Sequence, residues 1–257
     1  GFVNVDALAN LLRPDTTLVS VMAVNNEIGS IQPIHDIAAL LEDRPTVSFH
    51  VDAVQALAKV ATEVYLPERV DFATFSSHKF HGLRGVGFVY IKEGKKITPL
   101  LTGGGQEKEM RSTTENVAGI AATAKALRLA MEKQEAFASK TQQMKEVIRK
   151  ELANYPDVTI FSGEDHFAPH ILTFGIKGVR GEVVVHAFEE FDIYISTTSA
   201  CSSKAGKPAG TLIAMGVDKS IAQTAVRLSL DLENDMSQVE QFLTKFKLIY
   251  EQTRKVR

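Results

Sequence analysis

Three apolar runs in the first half of the chain each end in polar side chains, and this repeated pattern most constrains the fold. Thr17 to Val24, rich in Leu, Val, Met and Ala, runs into Asn25-Asn26-Glu27. Val47 to Val51 ends at Asp52, and Phe72 to Phe75 ends at Ser76-Ser77-His78-Lys79. Short apolar runs bounded by polar residues read as buried strands. Helical patterns between them, such as Pro33 to Leu41, predict an α/β protein. In open α/β sheets ligands bind at the carboxyl ends of the strands, so the polar ends are the first candidates for a site.

Other segments extend this pattern. Val5 to Leu12 reads as a helix, and Gly87 to Ile91 as a strand after a glycine turn. Asn116 to roughly Asn154 is rich in Ala, Lys, Glu and Gln and reads as one long helix. Strands are then expected over Val158–Phe161, Ile171–Ile176, Ile193–Ser196 and Val226–Leu230, with a helix over Glu182–Phe191. Asp235 opens a final amphipathic helix, with Val239, Phe242, Phe246 and Ile249 at helical spacing. A boundary near residue 137 divides a first domain (1–137) from a smaller one (138–257).

Composition excludes several classes. The formal net charge of -2 gives no polyanion-binding footprint, so direct nucleic-acid binding is not expected. No apolar run is long enough to span a bilayer, so no membrane partner is expected. The single cysteine excludes an internal disulfide framework and suits the reducing cytoplasm. His35, His166, His170 and His186 show no metal-ligand spacing, and no metal site is expected.

That cysteine, Cys201, lies in a segment of small residues punctuated by Gly206 and Pro208, with Lys204 and Lys207 nearby. The composition reads as an exposed loop, and neighbouring lysines favour the nucleophilic thiolate. A lone cysteine is also a common core residue, and both readings stand at this point. Lys79 follows hydroxyls and a histidine at a strand exit, where partial desolvation makes an amine nucleophilic. Asp52 ends the preceding strand. An acid there suits the protonated pyridine nitrogen of pyridoxal 5'-phosphate, and the lysine suits its aldehyde. Asp52 equally suits a helix N-cap, with Gln55 completing a capping box.

Taken together, the segments resemble one family. Phe75-Ser76-Ser77-His78-Lys79-Phe80-His81-Gly82-Leu83-Arg84-Gly85-Val86-Gly87 closely resembles the cofactor-lysine segment of NifS/IscS-like cysteine desulfurases. These are fold-type I, class V aminotransferase-like enzymes that use pyridoxal phosphate. Asn25-Asn26-Glu27, His50-Val51-Asp52-Ala53-Val54-Gln55 and Gly103-Gly104-Gly105-Gln106-Glu107 resemble further segments of that family in its order. So do Met110 to Asn116, Ser199-Ala200-Cys201 and Ala225 to Leu230.

The resemblance implies a fold-type I architecture, with an incomplete large α/β domain followed by a smaller C-terminal α+β domain. It implies that Lys79 forms the Schiff base and later moves protons at the substrate α-carbon. Asp52 would pair with the ring nitrogen, while Gln55 and Asn26 would bond around the ring oxygen and substrate. Ser76 and His78 would hold the phosphate, with Ser77 adding its backbone N–H; relatives often have Gly at Ser77. Thr114 would reach the phosphate of the neighbouring subunit in a homodimer, while Ser112 and Glu115 fit a capping box at a helix start. Arg227 would clamp the carboxylate of substrate L-cysteine in a bidentate fork, although strand alternation also allows it to face solvent.

Cys201 would attack the substrate sulfur, leaving a persulfide on the enzyme and finally alanine. The persulfide would pass to an acceptor protein, an Fe–S scaffold or a tRNA-thiolation enzyme. A selenocysteine lyase or another class V transaminase is the neighbouring reading, and the Cys201 segment favours the desulfurase because a transaminase needs no such thiol. A cofactor-free dimerisation or acceptor-binding module is the reading from a different class. The chain is also expected to lack roughly the first third of a complete two-domain enzyme. With it would go strands of the large domain, a phosphate-binding loop and a ring-stacking histidine, so the chain alone is expected to bind the cofactor poorly.

Overall fold

The structure, a computed structural model, describes residues 1–198 and 210–255. The chain divides into two compact units. Asn4–Ala23 and Pro33–Gln134 form the N-terminal unit; Gly1–Val3, Val24–Gln32 and Glu135–Arg257 form the C-terminal unit.

The N-terminal unit contains α1 (Val5–Leu11), β1 (Leu18–Met22), α2 (Ile34–Leu40), β2 (Ser48–Asp52), α3 (Thr62–Tyr65), β3 (Phe72–Ser76), β4 (Gly87–Ile91) and α4 (Val117–Glu132). Its sheet has the order β1-β2-β3-β4, with β1, β2 and β3 parallel and β4 antiparallel to β3. The predicted α/β pattern is therefore present. Phe49 and Val51 of β2 and Ala73 and Phe75 of β3 are buried on one face. The alternate residues Ser48, His50, Asp52, Thr74 and Ser76 lie half-buried on the other. All three parallel strands run in one direction, so their carboxyl ends share one edge.

A buried ion pair anchors the opposite, amino-terminal ends. Asp71, just before β3, accepts from Phe49 N–H at 2.9 Å and pairs with Arg69 at 2.9 Å and Lys95 at 3.1 Å. The Arg69 guanidinium also donates to the carbonyls of Leu41, Arg44 and Val47. Its donors are thus spent on the chain that leads into β2, and the pair fixes where β2 and β3 begin.

The long helix expected from Asn116 to Asn154 is two helices. α4 ends at Lys133 (φ -108°, ψ 5°), whose N–H bonds back to Ala130 at 3.2 Å. α5 (Gln134–Leu152) then begins, and Gln134 Nε2 donates to the carbonyl of Val60 at 2.6 Å. That tertiary bond replaces helix continuity at a site where no Gly or Pro announces a break.

The C-terminal unit continues with β5 (Val158–Ile160), β6 (Ile171–Ile176), α6 (Gly181–Glu189), β7 (Ser196–Thr197), α7 (Gly210–Ala214), α8 (Lys219–Ala222), β8 (Ala225–Ser229) and α9 (Met236–Lys255). Its sheet order is β5-β6-β8-β7, with every pair antiparallel. Phe174 and Ile176 of β6, Phe188 of α6 and Phe242 and Phe246 of α9 share one core. The strand expected at Ile193–Ser196 is instead the two-residue β7, because only Ser196 and Thr197 pair with β8. Asp235 caps α9 by accepting from Gln238 N–H at 3.0 Å. Among the described residues no helix is long and apolar enough to cross a membrane, and no His/Cys/Asp/Glu group suits a metal ion.

Candidate functional site

In the N-terminal unit the predicted residues gather at the carboxyl ends of β2 and β3. Asp52 is the last residue of β2 and lies in register with Thr74 of β3, two residues before Ser76. One Asp52 carboxylate oxygen accepts from Val54 N–H at 3.0 Å. This local turn replaces the capping box considered for Asp52 and Gln55, since no helix starts there. Gln55 is buried at 9% exposure just beyond it.

Past Ser76 the chain enters a single 3-10 turn, Ser77–Phe80. The turn closes at His81, which takes the left-handed conformation (φ 66°) and donates back to Ser77. Phe80 is buried while His78 is exposed and Lys79 half-buried, so the apolar anchor orients the turn and leaves the basic groups at the surface. Carboxylate, hydroxyl, imidazole and amine thus share one sheet edge. That donor set fits a ligand with a basic ring nitrogen, a carbonyl and a phosphate.

Ser77 departs from expectation. Its N–H donates to the carbonyl of Val86 at 3.0 Å, and its fully buried hydroxyl meets the Thr123 hydroxyl at 2.9 Å. Both polar groups are engaged inside the protein here, and Ser77 packs within the turn. The Ser112/Glu115 capping box is not formed either. Asn116 caps α4 by accepting from Gly119 N–H at 3.0 Å, and Ser112 Oγ accepts from Gly104 N–H at 2.9 Å. Thr114 is exposed in the segment before α4.

His50, two residues before Asp52 on β2, bridges the strands on either side of it. Its Nδ1 meets Ser20 Oγ at 2.7 Å and its Nε2 meets Thr74 Oγ1 at 3.1 Å. Burial lowers the His50 pKa more than the nearby Asp52 carboxylate raises it. Burial thus favours the neutral ring. An H-x-D spacing along a strand puts both side chains on one face, which is the signal that was available.

In the C-terminal unit, Arg227 on β8 donates through Nη1 to the backbone carbonyl of Asn26 at 2.6 Å. The turn carrying Asn26 is built by its neighbours. Asn25 Oδ1 accepts from the N–H groups of Glu27 and Ile28, both at 2.9 Å, and Asn25 Nδ2 donates to Thr211 Oγ1 at 3.1 Å. Glu27 accepts from Thr211 N–H at 2.9 Å, and its carbonyl accepts from Thr173 Oγ1 at 2.5 Å. Arg227 is half-buried against this turn and does not face open solvent. Cys201, Lys204 and Lys207 lie outside the described residues.

The family model "Aminotransferase class-V" matches residues 1–242. A NifS/IcsS protein homolog of Lactobacillus delbrueckii subsp. bulgaricus is 51% identical over all of this chain and 67% of its own length. The cysteine desulfurase IscS of Clostridium botulinum is 37% identical over all of this chain and 65% of its own. Among solved structures, a NifS-like protein superposes with a TM-score of 0.88 at 36% identity, covering 97% of this chain and 65% of that one. The chain therefore spans about two thirds of the length of the relatives it matches.

Proposed function

Since the chain belongs to the class-V aminotransferase family, we propose that the complete protein is a pyridoxal-phosphate-dependent cysteine desulfurase. It would convert L-cysteine to L-alanine, acting as a homodimer in the cytoplasm. The observation that carries the cofactor reading is the placement of Asp52 and the Ser76–Lys79 turn at the carboxyl ends of adjacent parallel strands. The similarity to relatives named for cysteine desulfurase activity supports the choice of reaction.

When bound, the cofactor supplies an electron sink for charge developing at the substrate α-carbon. Asp52 would hold the proton on the ring nitrogen, which would keep that sink effective. Ser76 and His78 would bind the phosphate, and Thr114 would reach the phosphate of the cofactor bound in the partner subunit. Lys79 would hold the cofactor through its aldehyde and would then move the proton at the substrate α-carbon. Gln55 and Asn26 orient the ring oxygen and substrate. Arg227 would fix the substrate carboxylate through in-plane N–H donors of its guanidinium fork.

The Cys201 thiolate attacks the substrate sulfur. An S–S bond forms as the substrate C–S bond breaks, and the electron pair of that bond stays with the carbon, which is protonated on the way to alanine. The sulfur leaves as a Cys201 persulfide for an acceptor protein of Fe–S cluster assembly or tRNA thiolation. The decisive experiment measures alanine and sulfide released from L-cysteine by the complete protein. Cys201→Ser and Lys79→Ala should each abolish turnover, and wild-type rates in Cys201→Ser would overturn the assignment.

A further inference from the structure

We propose that His50 is a positioning residue for Asp52: through its bridge to Ser20 and Thr74 it fixes the strand row that presents the carboxylate to the cofactor ring nitrogen. This rests on the reading of Asp52 given above.

The bridge spans three strands. Ser20 lies in register with His50 across β1 and β2, and Thr74 lies in register with Asp52 across β2 and β3. The His50 ring reaches Ser20 at 2.7 Å on one side and, diagonally, Thr74 at 3.1 Å on the other. Thr74 is thus both the hydrogen-bond partner of His50 and the register neighbour of Asp52. All four side chains share one face of the sheet, opposite Phe49, Val51, Ala73 and Phe75; His50, Asp52 and Thr74 are half-buried there and Ser20 is exposed.

A structural core needs no such polar row, because an apolar residue at His50 would serve strand packing equally well. What the row supplies is lateral order one pleat behind the carboxylate. Its neutral ring also matters. An imidazolium two residues from Asp52 would compete with the cationic ring nitrogen for the same carboxylate, whereas a neutral imidazole leaves that charge for the ligand. Burial favours this neutral form.

The test uses the complete protein. Cofactor dissociation constants are measured by absorbance of the bound cofactor, together with the pH midpoint of that band and the melting temperature of the cofactor-free form. His50→Ala and Thr74→Val should each weaken cofactor binding about tenfold and move the midpoint, the size of one lost hydrogen-bonded support. The double variant should be no weaker than either single one, because both break the same bridge. His50→Gln, which keeps polar groups on the row, should recover part of the loss. The imidazole nitrogen resonances of His50 in the cofactor-free protein should report a neutral ring at pH 7.

Wild-type affinity and midpoint in His50→Ala and Thr74→Val, alongside loss of cofactor in Asp52→Asn, would overturn this inference alone. Wild-type cofactor binding in Asp52→Asn would remove the assignment of Asp52 and this inference with it. Equal losses of melting temperature without any change of midpoint would make the row a purely structural brace and reject the proposal.

Discussion

The guanidinium of Arg227 donates to the backbone carbonyl of Asn26 at 2.6 Å, although the two residues are 201 positions apart. Arg227 is held in the middle of β8 by pairing with Thr173 on one side and Ser196 on the other. Its side chain therefore meets the Asn25–Glu27 turn with a fixed orientation. A planar fork anchored at one nitrogen is held in a set direction, which is what carboxylate recognition requires. In the complete protein, Arg227→Lys should raise KM for L-cysteine about tenfold to a hundredfold, the range for a lost charge-assisted pair, with a smaller change in kcat. Steady-state kinetics check this. A fall in melting temperature with KM unchanged would make Arg227 a strut for the turn.

Ser77 and Gly82 make a second pair. A Cβ built on Gly82 would sit 1.8 Å from Ser77 Oγ, so the turn closes only over a residue without a side chain. Gly82→Ala should destabilise the N-terminal unit by about 1–3 kcal/mol, the usual cost of overpacking. Ser77→Gly should rescue most of that loss, because it removes the clashing hydroxyl. Ser77→Ala alone should cost about 1 kcal/mol or less, since Thr123 keeps its bond to the carbonyl of Gly119 at 2.7 Å. Chemical denaturation of the four variants checks the cycle, and simple additivity of the two single effects would reject it.

The strand ends were legible because buried strands leave an unmistakable trace. Apolar runs stop where the chain leaves the sheet, so Asp52 and Ser76 to Lys79 could be placed at one edge from their order alone. The second sheet was less legible at β7, where pairing covers only Ser196 and Thr197 and the preceding Ile193 and Ile195 pack against the core without joining the ladder. The break at Lys133 left no trace, since a helix-favouring sequence is interrupted by the distant Val60 carbonyl. The same holds for Ser77 and Ser112. Ser112 carries a hydroxyl that suits a capping box and Ser77 a backbone N–H that suits a phosphate, yet both bond to partners that only the fold selects. His50 shows the converse: its spacing to Asp52 was visible, but its partners Ser20 and Thr74 lie on other strands.

Lys145 gives a prediction on the alkaline side. It is 2% exposed, donates to the carbonyl of Ala168 at 2.8 Å and lies 5.9 Å from the Phe167 ring centroid. Burial, helped by the nearby Arg149 charge, brings its pKa down from 10.5 to about 8. Below about pH 8 the amine is charged in both states, and the folded chain bears the full cost of burying that charge. Between about 8 and 10.5 the unfolded chain binds more protons than the folded one, so the contribution of Lys145 to stability rises with pH. Urea denaturation of the wild type against Lys145→Met should show their difference changing across that window. A constant difference would mean that Lys145 titrates normally.

Asp71 gives the opposite case on the acid side. Burial alone would raise its pKa, but the Phe49 N–H, Lys95 and Arg69 together outweigh that effect and hold it below the ordinary carboxylate value of 3.8. The ionised form is therefore favoured in the folded state. Its contribution is present above the unfolded value and disappears as pH falls through the lower folded value. Arg69 and Asp71 are both nearly inaccessible, at 9% and 3% side-chain exposure, so salt should screen the pair weakly. Asp71→Ala should cost about 3–5 kcal/mol at pH 7, because it leaves the Arg69 charge buried and unpaired. The loss is expected to reach beyond the pair itself, since Arg69 also ties the carbonyls of Leu41, Arg44 and Val47 to the start of β2. The variant's deficit relative to wild type should shrink only as pH falls through the unfolded value of 3.8 towards the lower folded one. Denaturation of both proteins from neutral to strongly acid pH checks this, and a deficit that vanishes well above that point would show that Asp71 is not held ionised by its partners.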